Sequence, residues 1–157
     1  MIHKCIAVLG YGTNCSNLNK DRAFQAGRQI ALCGLAVCAG NLAGTFYHAF
    51  KGAKSVTGHT IAVLETTKKG LDKPLCDDVI YALDADAKHQ IIAEKCLGAI
   101  VIGGGEGTNR LIARLLSMNK IVVAINNSGG VVNCELDERI KVVESIEKAI
   151  NYINKIK

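Results

Sequence analysis

The chain has 157 residues, of which 49% are apolar and 21% charged, a size and balance that suit one domain with a substantial core and leave too little for two. The net charge of +5 is not gathered into a stripe of basic and aromatic residues, and tryptophan is absent, so extended nucleic-acid binding is not expected. No apolar stretch has the length of a membrane span or of a signal sequence, and we therefore predict a cytoplasmic protein that does not bind membranes.

Short apolar runs alternate along the chain with segments of helical periodicity. The predicted strands cover residues 5–9, 35–38, 60–64, 99–102 and 121–125. The predicted helices cover residues 19–33, 45–55, 85–97 and 109–118, and a fifth starts near Asp137 and runs almost to the C-terminus. The polar segment 65–78 has a length that is typical of a functional loop or a mobile lid.

The predicted strands are almost uninterrupted in apolar character, as expected of parallel strands that helices cover on both faces. Five strand–helix repeats predict a single α/β domain, residues 1–157, with a Rossmann-like, doubly wound and mainly parallel sheet of about five or more strands. Ligands of such sheets bind beyond the carboxyl ends of the strands, where loops 10–15, 40–44, 103–108 and 126–130 lead out.

The loop after the fourth predicted strand is the strongest candidate for a binding site. It lies directly before a helix and reads Gly103-Gly104-Gly105-Glu106-Gly107-Thr108. Glycines let backbone N–H groups approach an anion, the helix N-terminus favours negative charge, and Thr108 adds a hydroxyl donor. A tight turn alone requires fewer glycines, so we predict a phosphate site here. The Glu106 carboxylate would repel phosphate and is expected to point outward or to meet a cation.

The other three loops are weaker candidates. Gly10 and Gly12 lack the third glycine of the dinucleotide fingerprint, and no acidic residue follows the second strand, so an NAD site is not predicted. The segment with Gly40, Asn41 and Gly44 is either a second anion site or a turn that packs its helix closely on the sheet. The loop after the fifth strand either holds a ribose or a base through side-chain amides or is simply a turn.

Cysteines and histidines show no ligand spacing of a metal site. The seven cysteines, at positions 5, 15, 33, 38, 76, 96 and 134, include no Cys-x-x-Cys pair, so we predict reduced thiols without a disulfide framework or a metal site. The four histidines, at positions 3, 48, 59 and 89, are interpreted as surface or capping residues. Arg110 and Arg114, one turn apart after the glycine loop, are either anion ligands or solvated surface residues.

Taken in order, the segments VLGYG, GRQIALCGLAVCAGNLAG and AIVIGGGEGT resemble the family that groups the Lonely Guy phosphoribohydrolases, formerly called lysine decarboxylases, with molybdenum-cofactor carrier proteins and the DNA-processing protein. The resemblance spans about residues 4–127. The family's GGxGT loop and its glycine pair after the second strand are matched by Gly104, Gly105, Gly107 and Thr108, and more loosely by Gly40 and Gly44. The resemblance implies a Rossmann-like sheet and a nucleotide-binding site.

The departures from the family pattern bear on catalysis. Hydrolases of the family carry a catalytic glutamate two or three residues after the GGxGT threonine, where this chain has Arg110 and Leu111. Their Arg-Lys pair on the preceding helix corresponds to Lys88 and His89, and the proline that opens their loop corresponds to Gly103. Loss of the glutamate removes the carboxylate that would stabilise a cationic sugar transition state, whereas phosphate binding is retained.

The resemblance therefore favours a carrier-like protein for a nucleotide or a phosphorylated cofactor such as molybdopterin. The ligand would be held by residues 103–108 together with Gly10, Gly12, Gly40, Asn41, Gly44, Lys88 and Arg110. The alternative is a nucleoside 5′-monophosphate phosphoribohydrolase with a carboxylate from elsewhere, namely Glu65, Asp84 or Asp86. A homodimer or homotetramer is expected, because family members commonly pair through helices and the helix at 109–118 is apolar on one side.

Overall fold

Seven parallel strands form one sheet in residues 3–157, the part of the chain that the computed structural model describes. The strands are β1 (Cys5–Gly10), β2 (Ala36–Ala39), β3 (Thr60–Glu65), β4 (Asp78–Ala82), β5 (Cys96–Ile102), β6 (Ile121–Ile125) and β7 (Lys141–Val143). Their order across the sheet is β4-β3-β2-β1-β5-β6-β7, and every neighbouring pair is parallel.

Five α-helices connect and cover these strands within the described residues. They are α1 (Asn17–Leu32), α2 (Thr45–Lys54), α3 (Ala85–Lys95), α4 (Glu106–Ser117) and α5 (Ile146–Asn154), and two short 3-10 turns cover Thr66–Lys68 and Gly130–Asn133. Across residues 3–157, no helix combines the length and the apolar character that crossing a bilayer requires.

Alternate residues of the central strands enter two separate apolar clusters, one on each face of the sheet. Ile6 and Val8 of β1 belong to the cluster that contains buried residues of α1, α2 and α5. Cys5, Ala7 and Leu9 belong to the cluster that contains buried residues of α3 and α4. The fold is therefore a doubly wound, Rossmann-like α/β sheet, which confirms the fold class predicted from the sequence.

The strand order produces a topological switch point between β1 and β5. The chain winds outward from β1 to β4, returns to the middle of the sheet, and then winds from β5 to β7 on the other side of β1. Gly10, the last residue of β1, is paired with Ile102, the last residue of β5. The loops that follow these two strands therefore leave side by side, where doubly wound sheets bind their ligands.

Both edge strands are absent from the sequence prediction. Strand β4 follows the connection that the sequence predicts as a long polar loop, and that connection contains the 3-10 turn at Thr66–Lys68. Strand β7 occupies residues that the sequence assigns to the last helix. That helix begins instead at Ile146, and its N-cap is Ser145, whose side chain accepts a hydrogen bond from the backbone N–H of Lys148. Asp137, the predicted N-cap, pairs with Arg139.

Two further boundaries differ from the prediction. Helix α3 ends at Lys95 and β5 begins at the next residue, three residues earlier than predicted, so Gly98 lies inside a strand. A Cβ at Gly98 would overlap Ile121 of the neighbouring strand, which explains the glycine there. Helix α4 begins at Glu106, three residues earlier than predicted, so the residues Gly107 and Thr108 belong to its first turn rather than to a loop.

Helix α2 is fixed in position by a close approach to α1 and by the loop after β1. A Cβ on Gly27 would overlap the carbonyl oxygen of Ala49, so the two helix backbones touch at this point. The backbone N–H of Thr45 donates to the Tyr11 carbonyl over 2.9 Å, and the Tyr11 N–H donates to the Thr45 hydroxyl over 3.0 Å. These contacts hold the first loop beside the carboxyl ends of the strands.

Candidate functional site

A cleft of about 250 Å³ lies beyond the carboxyl ends of β1, β2 and β5, next to α3 and α4. Its wall includes Gly10 and Gly12 after β1, Gly40 and Asn41 after β2, and the start of α4. A second cleft of about 480 Å³ shares Gly40, Asn41 and Lys88 with the first and extends toward the connection after β3. The two clefts adjoin and together form the candidate site.

The first two glycines of the glycine-rich segment are required by the fold. Gly103 and Gly104 have φ angles of +72° and +107°, in the region where residues with a Cβ are strained. A Cβ on Gly103 would overlap the ring of Tyr11, and one on Gly104 would lie 2.5 Å from the Thr108 hydroxyl oxygen. These two positions shape the turn and do not line the cleft.

The next two glycines, Gly105 and Gly107, are not required by packing. A Cβ added to either would meet nothing within 4 Å, and both residues line the cleft. Gly105 is the N-cap of α4 and supplies no side-chain cap. In the described residues, the N–H groups of Glu106, Gly107 and Thr108 have no acceptor in the protein. Three unpaired donors and the positive end of a helix therefore stand beside open space.

The turn at Gly103 and Gly104, the glycine turn, is supported from behind by the loop after β6. The Gly103 N–H donates to the Ser128 hydroxyl over 2.9 Å, and the Val131 N–H donates to the Gly104 carbonyl over 2.9 Å. The side-chain amide of Asn126, predicted as a possible ribose or base contact, donates to Glu144 instead. Loop 126–130 therefore holds the glycine turn in place and lies outside the cleft.

Lys88 is the cation of the cleft. It projects from α3, its side chain is 17% exposed, and its ammonium donates to the Gly40 carbonyl over 3.1 Å. Its Nζ also lies 3.4 Å from Oε1 of Glu65, the last residue of β3. The structure thus brings together two residues that the sequence proposed separately, one as a phosphate ligand and one as a substitute catalytic carboxylate.

Arg110 and Glu106 lie away from the cleft wall. They form an ion pair with a distance of 2.6 Å between Arg110 Nη2 and Glu106 Oε1, and both side chains are mostly exposed. The prediction that Glu106 meets a cation is confirmed, whereas Arg110 does not reach the cleft in the structure. Of the other proposed carboxylates, Asp84 caps α3 and Asp86 pairs with Arg114, so neither faces the cleft.

Two further predicted residues have roles within the fold. Gly44 has a φ of +60°, and a Cβ there would overlap the carbonyl oxygen of Tyr11, so this glycine allows the close approach of two loops and does not line the cleft. Thr108 does line it, and its hydroxyl donates to the Gly10 carbonyl over 3.3 Å. The hydroxyl thereby joins the ends of β1 and of the glycine turn.

His89 is a cleft residue that the sequence interpretation assigned to the surface. Burial, with the nearby charges of Lys88 and Arg114, lowers the pKa of His89 below its ordinary value of 6.5, so the ring is neutral at neutral pH. Apolar side chains from Phe46, Ile92 and Leu111 complete this wall. The one sequence signal for His89 was its place beside Lys88, at the position of the family's basic pair.

The cleft therefore combines unpaired main-chain donors, one ammonium group and an apolar wall. Convergent polar groups fix the charged part of a ligand, and apolar side chains accept the remainder. This arrangement suits an anion that carries an apolar or aromatic group.

Known proteins resemble this chain in sequence and in fold. An uncharacterized protein from Archaeoglobus fulgidus is 32% identical over 147 residues, which cover 94% of this chain and 92% of that protein. The molybdenum cofactor binding protein from Rippkaea orientalis superimposes with a TM-score of 0.88 at 27% identity, covering 99% of this chain and 98% of that one. The molybdenum cofactor carrier protein from Chlamydomonas reinhardtii does so with a TM-score of 0.82 at 24% identity, covering 98% of each chain.

DNA-processing proteins also share the fold. The molybdenum cofactor binding protein from Rippkaea orientalis belongs to the grouping that the glycine motifs indicated. The profile of the SLOG cluster4 family matches residues 3–152, which is nearly the whole chain. This chain belongs to the SLOG cluster4 family.

Proposed function

We propose that this protein is a carrier-like binding protein that holds the phosphate of a nucleotide or of a phosphorylated cofactor such as molybdopterin at the N-terminus of α4. The observation that carries the proposal is the pair of glycines, Gly105 and Gly107, that face open space beside unpaired N–H groups. Their missing side chains serve no internal contact, and glycine lowers helix stability at Gly107. A ligand that approaches the backbone closely accounts for a glycine at each of these positions.

Charge in the cleft supports the same ligand. The α4 N-terminus and the Lys88 ammonium are both positive and both border the cleft. Glu65 offsets part of the Lys88 charge at a distance of 3.4 Å. A phosphate that binds between the helix end and Lys88 would exchange this contact for a stronger, charge-assisted one.

The size of the site fits a nucleotide rather than a bare anion. The cleft of about 250 Å³ receives the phosphate, and the adjoining cleft of about 480 Å³ leaves room for a sugar and a base or for a pterin. Ligand sites of small molecules commonly occupy about 300–1,000 Å³. The names of two structural relatives, a molybdenum cofactor binding protein and a molybdenum cofactor carrier protein, agree with a phosphorylated cofactor as the ligand class.

A substitution at the helix N-cap tests the proposal. Gly105 has a negative φ of −114°, so a residue with a Cβ is not excluded there, and the carboxylate of an aspartate would cap α4 itself. We expect Gly105→Asp to raise the free energy of unfolding by up to about 1 kcal/mol and to abolish binding of AMP and of inorganic phosphate. Gly105→Ala, whose uncharged Cβ would stand in the space proposed for the ligand, should weaken binding without abolishing it.

Calorimetric titration and thermal melting measure both effects. At a ligand concentration about a hundred times Kd, the wild-type chain should gain about 2.7 kcal/mol, which corresponds to roughly 5–10 °C in Tm for a domain of this size. If Gly105→Asp binds AMP as tightly as the wild type does, the anion is not at the α4 N-terminus.

A second function is favoured by one contact, the proximity of Glu65 to Lys88. Glu65 lines the adjoining cleft and is the one carboxylate among the three proposed from the sequence that reaches it. We propose as the alternative a nucleoside 5′-monophosphate phosphoribohydrolase in which Glu65 stabilises the cationic sugar. If the wild-type chain releases free base from AMP and Glu65→Gln does not, this alternative is supported. If the wild-type chain leaves a panel of nucleoside monophosphates intact, this alternative is ruled out.

A further inference from the structure

Three cysteine side chains meet in the core of the protein. Cys5 and Cys96 are the first residues of β1 and β5, and Cys38 lies in β2. All three are fully buried on the face of the sheet that α3 and α4 cover. Their sulfur atoms lie within 4.8 Å of one another, and the sulfurs of Cys5 and Cys96 are 3.5 Å apart.

The register of the strands creates this cluster. Cys5 is the direct partner of Cys96, and Cys38 is the partner of Ala7, two residues further along β1 on the same face. Along β1, Cys5 lies roughly 16 Å before Gly10, whereas Cys38 stands two residues before Gly40 of the cleft wall, and none of the three cysteines lines either cleft. The cluster is therefore a second centre that the cleft does not include.

A single buried cysteine is ordinarily a small apolar residue of the core. Here three thiols from distant sequence positions converge, a pattern that packing does not require and that spacing along the sequence did not reveal. We propose that Cys5, Cys38 and Cys96 form a binding site for one monovalent copper ion, Cu(I), with three sulfur ligands. This proposal departs from the sequence prediction that the chain has no metal site.

The sulfur positions fit such an ion. An ion at the centre of a sulfur triangle with sides between 3.5 and 4.8 Å lies about 2.0 to 2.8 Å from each sulfur, a range that includes a metal–thiolate bond of about 2.3 Å. Soft thiolate ligands select soft ions such as Cu(I). Zinc requires a fourth ligand, and in residues 3–157 no further metal-binding side chain joins the cluster.

Copper binding requires that the thiols lose their protons. Each copper–sulfur bond forms as its thiol proton leaves to solvent, and no electron is transferred because copper enters as Cu(I).

The ligands lie on three strands that become neighbours only when the sheet forms, so binding is coupled to folding. The experiment therefore uses the full chain both as the folded protein and after refolding with Cu(I). Four cysteines outside the cluster are first replaced, in the variant Cys15→Ser, Cys33→Ser, Cys76→Ala and Cys134→Ser. Cu(I) is titrated without oxygen against the chelator bicinchoninate, and the number of sulfur ligands is read from X-ray absorption.

In this variant, which keeps Cys5, Cys38 and Cys96, we expect one copper ion per chain, bound by three sulfurs. Adding Cys38→Ala or Cys96→Ala to it should weaken copper binding at least about a hundredfold, because one ligand of three is lost. Far-ultraviolet circular dichroism shows which of the two variants folds, and one folded variant is enough to measure the loss of copper affinity. The proposal is overturned if the chain binds no copper even after refolding, if only two sulfurs bind, or if a folded cluster variant keeps its affinity.

Discussion

Lys88 and Arg110 are two cations that the sequence places near the same loop and that the structure separates. Lys88 borders the cleft, whereas Arg110 pairs with Glu106 on the exposed side of α4. We expect Lys88→Met to weaken AMP binding about tenfold or more, since a hydrogen bond to a charged group contributes about 1.5–3 kcal/mol. Arg110→Gln should change the affinity less than about twofold, because an exposed ion pair contributes little.

Titration calorimetry measures the AMP affinity of the two variants. Unfolding curves check that Lys88→Met remains folded without its contact to Gly40. Equal losses at both positions would place the anion on the outer side of α4, outside the cleft.

We expect His48 and His89 to make stability depend on pH. Burial is the main cause that lowers the pKa of both below 6.5, and nearby lysines act in the same direction. The unfolded chain therefore binds protons at these residues before the folded chain does, so the free energy of unfolding should fall as pH drops through 6.5. Urea unfolding at about pH 7.5 and about pH 5.5 measures the effect.

The double variant His48→Asn and His89→Asn should reduce the slope of stability against pH in this interval. A steeper slope in the double variant, or a wild-type chain that gains stability toward pH 5.5, would show that folding does not lower the pKa of these two histidines.

Several cleft residues are predictable from the sequence because their chemistry is local. Gly105, Gly107 and Thr108 follow a strand and open a helix, and this pattern suffices to place them at the carboxyl end of the sheet. His89 and Phe46 are not predictable in this way. They reach the cleft from α3 and α2, and whether a helical residue faces the cleft depends on how its helix packs across the sheet.

At the scale of elements, the same substitution should have opposite effects on two helices. Gly27→Ala places a Cβ against the backbone of α2 and should lower the free energy of unfolding by about 1–3 kcal/mol, despite the better helix propensity of alanine. Gly107→Ala adds its Cβ in open space and should raise the free energy of unfolding by up to about 1 kcal/mol.

Chemical denaturation of the two variants gives both values. A neutral or stabilising Gly27→Ala would show that α1 and α2 do not cross as closely as the structure has them, and Gly107→Ala serves as the matched control for alanine's helix propensity.

The two edge strands show why elements are missed from the sequence. Strand β7 has three residues, and its Val143 together with Ile140, Ile146, Ile150 and Ile153 repeats at the spacing of a helix, so periodicity extends the last helix backwards through the strand. Strand β4 is partly exposed at the edge, and it lacks the continuous apolar run that identifies a buried strand. Both depend on pairing with a neighbour for their existence.

For the molecule as a whole, the class of fold is predictable and the strand order is not. Alternation of apolar runs with helical segments indicates a doubly wound sheet, which the structure confirms. The position of β5 beside β1 depends on contacts between residues about ninety positions apart, such as the pair Cys5 and Cys96. The switch point, and with it the cleft, follows from that pairing.

The oligomeric state stays a prediction. The apolar side of α4, residues Leu111, Ile112, Leu115 and Leu116, is buried against the chain's own sheet and is not free to pair subunits. Exposed apolar residues lie elsewhere, with Leu18 and Leu32 on α1 and Leu83 after β4. We expect a homodimer or homotetramer by light scattering, and a mass equal to that of one chain would contradict this expectation.

Backbone amide shifts report on the proposed site itself, since the proposed ligand binds main-chain N–H groups. The nitrogen-15-labelled chain is titrated with AMP, and in parallel with inorganic phosphate, while the nuclear magnetic resonance of each amide is followed. We expect the largest shifts at Glu106, Gly107 and Thr108, and none of them in Gly105→Asp, whose own carboxylate occupies the helix end. If saturating AMP leaves the resonances of these three amides unchanged, the anion does not bind at the N-terminus of α4.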